Sequence, residues 1–166
     1  MTVYNWKQFT KRITIHSSPQ SIYKAWATQD GLESWFLRLA EFTNDSGQLR
    51  NKHELIQRGD TYKWLWFGYD DAVVEQREIL GANNRNELEF AFSGSCVVKV
   101  STTLEDGETI CELTQTMTME DEGEQRYFFI ECGKGWTFYL TNLKSVLEGG
   151  IDLRNKIESV KNVINA

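Results

Sequence analysis

Two histidines, three cysteines and a glycine pair around a lysine are the side chains here whose types and spacing could do chemistry. His53-Glu54-Leu55-Ile56-Gln57 begins like a zinc-protease helix, in which two histidines one turn apart hold the metal and the glutamate activates water. Gln57 stands where the second histidine is required, and the segment lacks helical periodicity, so no metal site is expected there. His16 lies beside Ser17 and Ser18 with no motif that would activate a serine, which makes it a strand-end residue. Gly133-Lys134-Gly135 has no strand before it and no third glycine, so it cannot cradle a phosphate. Each glycine costs a helix about 1 kcal/mol relative to alanine. The expected use of the pair is steric, letting the helix kink or come close to a sheet. Cys96, Cys111 and Cys132 have no metal-like spacing, and their odd number suits buried free thiols. Acidic residues such as Glu75, Glu78 and Glu89 are many, strand alternation leaves most of them solvated, and no two carboxylates stand out as an acid and base. The expectation is a protein with no catalytic residues, no metal and no cofactor, a binder rather than an enzyme.

The chain has 166 residues, enough for one domain over 1–166 that buries about 70% of its unfolded surface. Its formal charge of −6 comes without a basic stripe, which argues against nucleic acid as a partner. No apolar run approaches the length of a membrane span. Met1 to Lys11 alternates polar and aromatic residues and lacks the apolar centre of a signal peptide, so the expected location is the cytoplasm. Six tryptophans within a 13% aromatic content suit a concave apolar surface and equally an ordinary, tightly packed interior.

The elements that must position these side chains begin with one long helix. Asp121 with Glu124 makes a capping box, and Gly149-Gly150 makes a stop. Between them Phe128, Cys132, Trp136, Tyr139, Leu140, Leu143 and Leu147 recur at spacings of three and four, with Arg126, Lys134, Thr141, Asn142 and Lys144 mostly off that stripe. Such a helix is about 40 Å long and needs a large apolar partner.

The rest of the chain supplies a sheet. Residues 9–16 alternate as a first strand. Ser18 and Pro19 open a helix with Ile22, Tyr23 and Trp26 on its apolar face, and Thr28 caps a second short helix bearing Leu32, Trp35 and Phe36. Strands are predicted over 39–43, 62–67, 72–80 and 87–92, with 48–58 a long loop. Residues 62–67 are apolar on both faces, which requires two covers or a subunit contact. Asp106-Gly107 is a two-residue hairpin turn. That turn pairs Glu105 with Glu108, Thr102 with Cys111 and Cys96 with Met117, so Cys96, Val98, Val100, Cys111, Leu113 and Met117 share one face while Lys99, Ser101, Glu112 and Thr114 meet water. Ile157, Val160 and Ile164 predict a short extra helix at about 152–165. The whole is a curved antiparallel sheet gripping a long helix, an arrangement that suits a pocket.

Two stretches carry a family resemblance. Ile15-His16-Ser17-Ser18-Pro19-Gln20-Ser21-Ile22-Tyr23-Lys24-Ala25-Trp26, followed by Leu32 and Trp35-Phe36, resembles the opening of the family named for homology to the activator of Hsp90 ATPase. Gly135-Trp136-Thr137-Phe138-Tyr139-Leu140-Thr141-Asn142-Leu143-Lys144, with Leu147-Glu148-Gly149-Gly150, is similar to the signature of that family's last helix. The resemblance spans roughly residues 8 to 154. It implies the α+β helix-grip fold of the START-like, Bet v 1-like (SRPBCC) superfamily, whose members hold lipids, sterols, polyketides or other apolar molecules between sheet and helix. Residues 48–58 and 151–166 depart from the family's usual plan, and the chain offers no counterpart of the co-chaperone's additional N-terminal domain.

The first functional expectation is therefore non-enzymatic binding of a hydrophobic small molecule, lipid-like or polyketide-like. The expected walls are Trp35, Phe36, Trp64, Trp66, Phe90, Val98, Val100, Leu113, Trp136, Tyr139, Leu140 and Leu143. The second is a protein-interaction module, either an Hsp90 co-chaperone-like ATPase activator or a homodimer using a face around Leu65, Phe67 and Tyr69. The third is a cyclase- or hydrolase-type enzyme, which would need a polar group with a perturbed pKa deep in the pocket.

Overall fold

The computed structural model describes residues 4–165. In chain order the elements are β1 (Gln8–Thr14), α1 (Pro19–Ala27), α2 (Gln29–Trp35), β2 (Leu39–Thr43), β3 (Thr61–Leu65), β4 (Glu75–Ala82), β5 (Glu87–Phe92), β6 (Cys96–Glu105), β7 (Glu108–Met117) and α3 (Glu122–Leu147). The strands form one seven-stranded sheet in the order β1-β7-β6-β5-β4-β3-β2, with every neighbouring pair antiparallel. This is the α+β helix-grip arrangement. Because β1 lies at one edge and β2 at the other, α1 and α2 carry the chain across the sheet's full width, and the remaining strands meander back.

Local chemistry explains that crossing. The Ser18 hydroxyl accepts from the Ser21 N–H at 3.1 Å and Pro19 opens α1. The Thr28 hydroxyl accepts from the Gly31 N–H at 3.0 Å and starts α2. Gly31 is required at this elbow, since a Cβ there would lie 2.2 Å from the Lys24 carbonyl oxygen.

The β6–β7 hairpin turns at Asp106 and Gly107, both at positive φ, and its register pairs Glu105 with Glu108, Thr102 with Cys111 and Cys96 with Met117. At the start of α3 the Asp121 carboxylate accepts from the Glu124 N–H at 2.8 Å. Among the described residues the reciprocal bond from the Glu124 side chain is absent, so only half of the capping box forms. Gly149 ends the helix at φ +80°, with the Gly150 N–H donating to the Ser145 carbonyl at 2.7 Å.

Four expectations change. The third strand stops at Leu65 and the fourth starts at Glu75, because residues 66–74 turn away from the sheet. Asn142, expected off the apolar stripe, is fully buried: its Nδ2 donates to the Trp35 carbonyl (2.7 Å) and Asp152 (3.0 Å), and its Oδ1 accepts from the Leu153 N–H (2.7 Å). Residues 152–165 form no helix but an irregular strap, in which the Asn165 side chain binds both backbone groups of Asn155, at 2.7 and 2.9 Å. Asparagine amides compete with helical hydrogen bonds in this way, and Ile157, Val160 and Ile164 are left facing solvent. Finally, no close approach explains the glycines of α3, since a Cβ on Gly133 or Gly135 would meet nothing within 4 Å.

The strap covers the end of the stretch 62–67, at Phe67 and the adjoining Gly68. Arg154 and Lys156 lie over the Phe67 ring at 5.3 and 5.4 Å, and the Asn165 amide lies against Gly68. The Arg154 side chain is 1% exposed, and its guanidinium donates to the carbonyls of Leu37 and Glu33 (both 3.0 Å) and to the Asp152 carboxylate (2.7 Å). Burial by itself would raise the Asp152 carboxyl. Its bonds from Arg154, Lys156 and Asn142 outweigh that effect and hold it below the usual carboxylate range.

Candidate functional site: an aromatic cavity beside the long helix

A cavity of about 310 Å³ opens beside the N-terminal half of α3. The helix contributes Tyr127, Phe128, Glu131, Cys132, Lys134, Gly135, Trp136 and Tyr139; the end of β5 contributes Phe92 and Ser93. Trp66, Tyr69 and Val73, from the segment between β3 and β4, close the third side, and Phe36 forms the floor next to α2. The helical positions follow from periodicity, since 128, 132, 135, 136 and 139 recur every three or four residues on one face. The missing side chain of Gly135 leaves open space on that face.

The floor is a set of interlocked rings. Phe36 lies 5.1 Å from Trp136, 4.8 Å edge-on from Tyr139 and 5.9 Å from Trp66, while Phe92 lies 5.2 Å from Trp136. Behind it the rings continue through Trp35 stacked on Phe36 (5.3 Å), Trp64 stacked on Tyr62 (3.9 Å) and Trp64 edge-on to Phe90 (5.3 Å). Of the twelve residues expected as walls, Phe36, Trp66, Trp136 and Tyr139 border this cavity. Trp35, Trp64, Phe90, Val98, Val100, Leu113, Leu140 and Leu143 are all buried in the close-packed core behind it. Of the two uses that the aromatic content suits, close packing takes most of these rings and the cavity wall takes the rest.

Several positions at or behind the cavity carry little or no mark in the sequence pattern. Gln115 sits on the apolar face of β7 between Leu113 and Met117, fully buried, and its side-chain oxygen accepts from the Trp136 indole N–H at 2.7 Å. A polar residue at an inward position of an alternating strand was the signal. Gln115 lies behind the wall, whereas Tyr69, Val73, Phe92, Ser93 and Tyr127 border the cavity itself, and only the third dimension places them there.

The polar chemistry at the site is sparse. Burial pushes the Cys132 thiol up, against contributions from Gln115 and Ser93, and pushes Cys96 and Cys111 up to about 12. All three cysteines are free thiols, held protonated near neutral pH. Burial also raises the Tyr139 phenol. Glu131 and Lys134 pair at the rim, 2.8 Å apart. The histidines lie elsewhere: His53 pairs with Asp30 at 2.8 Å on the surface, and the exposed His16 gives its backbone N–H to Glu148 at 2.7 Å. Among the described residues no cluster of three or more His, Cys, Asp or Glu side chains is arranged to hold a metal, and no helix is long and apolar enough to cross a membrane.

An antiparallel sheet closed around one long helix, with an aromatic cavity on that helix, defines a helix-grip protein of the START-like class. Residues 16–148 match the family described as Activator of Hsp90 ATPase homolog 1-like protein, and the chain belongs to that family. The strap lies beyond the matched segment. A protein from Staphylococcus saprophyticus is 13% identical with a TM-score of 0.67, the match covering 89% of this chain and 96% of that one. The Aha1 dimer from Colwellia psychrerythraea, solved in solution, is 19% identical with a TM-score of 0.63, covering 86% and 97%. A protein from Nitrosomonas europaea is 10% identical with a TM-score of 0.66, covering 89% and 97%. At these identities the likeness is one of fold. No curated protein sequence matches the chain.

Proposed function

We propose that the protein binds a compact hydrophobic molecule in the cavity beside α3, in the cytoplasm and without transforming it. The observation that carries this reading is the open space next to Gly135 amid the rings of Phe36, Trp66, Phe92 and Trp136. A glycine in mid-helix destabilises it by about 1 kcal/mol, and a cavity wall is a use that offsets that cost. The volume of about 310 Å³ suits two or three fused rings and is short for a full acyl lipid, which favours a polyketide-like ligand over a lipid-like one. Each 100 Å² of apolar ligand surface removed from water contributes about 2.5 kcal/mol.

The test is binding of 1-anilinonaphthalene-8-sulfonate to the full chain and to Gly135→Leu. Enhanced, saturable fluorescence with the wild type that is lost in the variant, at unchanged folding, is the expected result. Equal responses from both proteins place any binding outside this cavity and defeat the proposal. Native mass spectrometry of protein purified from its own host would then report the bound mass and subunit number together.

A second reading is protein interaction. Tyr69, Val73 and Val74 are exposed on the segment beside the cavity, the family takes its name from an activator of Hsp90 ATPase, and the Colwellia relative was solved as a dimer. This reading predicts stimulation of the chaperone's ATPase or a dimer in solution; light scattering at a monomer mass together with an unchanged ATPase rate would dispose of it.

A further inference from the structure

We infer that the Tyr139 hydroxyl is the polar anchor of the cavity, and that the ligand class is a compact aryl or fused-ring molecule carrying a carbonyl-type oxygen. The inference rests on the binding role proposed above. Three tyrosines are almost wholly buried, each 3–4% exposed. Two have partners: Tyr23 Oη accepts from the Asn84 N–H at 3.0 Å, and Tyr62 Oη donates to the Ala91 carbonyl at 2.6 Å. Among the described residues the third, Tyr139, makes no hydrogen bond through its hydroxyl, and it is the one of the three that borders the cavity. This hydroxyl is not sealed in as the unpaired Trp64 indole is; it meets the open space of the cavity, where it can pair with what enters.

The other polar groups of the wall are engaged, weak or carried on side chains that face water: Tyr69 and Tyr127 are 50% and 61% exposed, and the Ser93 hydroxyl lies against the Cys132 thiol. The Trp136 indole N–H is taken by Gln115, and Glu131 is paired with Lys134. A thiol such as Cys132 donates poorly. Among the described residues Trp26 Nε1, Trp64 Nε1 and Thr102 Oγ1 are enclosed without a partner, but none of these residues borders the cavity. The Tyr139 ring is fixed edge-on against Phe36 at 4.8 Å and Phe138 at 5.3 Å, which gives the hydroxyl a set position. Burial keeps the phenol protonated, so its O–H is available to donate to an acceptor oxygen on the ligand, and the ketone probe below tests that donor role. A site built to hydrogen-bond a ligand group discriminates strongly against the shape-matched analogue without it.

An isosteric pair of probes tests this, 2-acetylnaphthalene and 2-isopropylnaphthalene, each titrated into the full chain by calorimetry. The wild type should bind the ketone about ten-fold more tightly or better. Tyr139→Phe should bind the two equally, the ketone preference being lost. A second readout needs no variant: the carbonyl stretch of bound 2-acetylnaphthalene should fall below its frequency in hexane. No ketone preference in the wild type, a preference that survives Tyr139→Phe, or an unshifted carbonyl stretch overturns the anchor while leaving cavity binding intact. If neither probe binds up to its solubility, the anchor and the binding role fall together.

Discussion

The indole N–H of Trp136 donates to the side-chain oxygen of Gln115 across 2.7 Å, joining α3 to β7 where neither group meets water. Each satisfies the other, and either alone would be a buried polar group without a partner. Gln115→Leu should therefore cost about 1–3 kcal/mol in urea unfolding. Pairing it with Trp136→Phe should cost less than the sum of the two single changes, and strict additivity would show that the bond is not what couples helix to strand.

Gly135 should trade stability against binding. Gly135→Ala removes a flexible residue from mid-helix where a Cβ meets nothing within 4 Å, so it should raise stability by about 0.5–1 kcal/mol. The same methyl group enters the cavity and should weaken 1-anilinonaphthalene-8-sulfonate. Thermal unfolding and fluorescence titration on one preparation measure both.

Arg154 should be worth more than a surface cation. Replacing it with methionine leaves the Leu37 and Glu33 carbonyls unpaired beside the Asp152 carboxylate, an expected loss of about 2–4 kcal/mol by urea denaturation. A loss below half a kilocalorie would mean that the strap rests on the fold without bracing it.

The same contact predicts a pH dependence. The Asp152 carboxyl is held below its unfolded value of about 3.9. Its contribution is fully present above that pH and disappears as the solution is acidified through the folded value. Wild type should therefore lose stability below about pH 4 more steeply than Arg154→Met. Parallel acid-denaturation curves would be the contrary outcome.

Thiol access gives a last check. Iodoacetamide at pH 8 should modify Cys132 slowly and leave Cys96 and Cys111 untouched in the native state, since only Cys132 borders the cavity. An occupied cavity should protect it. Peptide mass spectrometry reads the three sites separately.

The sheet and its helix were legible because their signals are local. Asp106-Gly107 sets a hairpin register by turn geometry, and Ser18-Pro19, Thr28, Asp121 and Gly149 mark helix ends by the backbone groups they satisfy. The cavity was legible only in part. Phe36, Trp66, Trp136 and Tyr139 border it, yet Trp35, Trp64 and Phe90 carry the same aromatic signature and lie behind them. Periodicity tells which face turns inward and says nothing of how much volume the side chains leave. The apolar residues of the strap fall at helical spacing, whereas Arg154, Asn155 and Asn165 find partners far from their own turn.

The crossing made by α1 and α2 has a consequence for how the molecule is made. Gln8 bonds to Thr116, 108 residues away, and among the described strands β1 has no neighbour except β7. The first strand to leave the ribosome must therefore wait for the last before it can join the sheet. The non-local closure this imposes is slow by nature, and until it happens the newborn chain displays an unmatched ribbon edge to its surroundings.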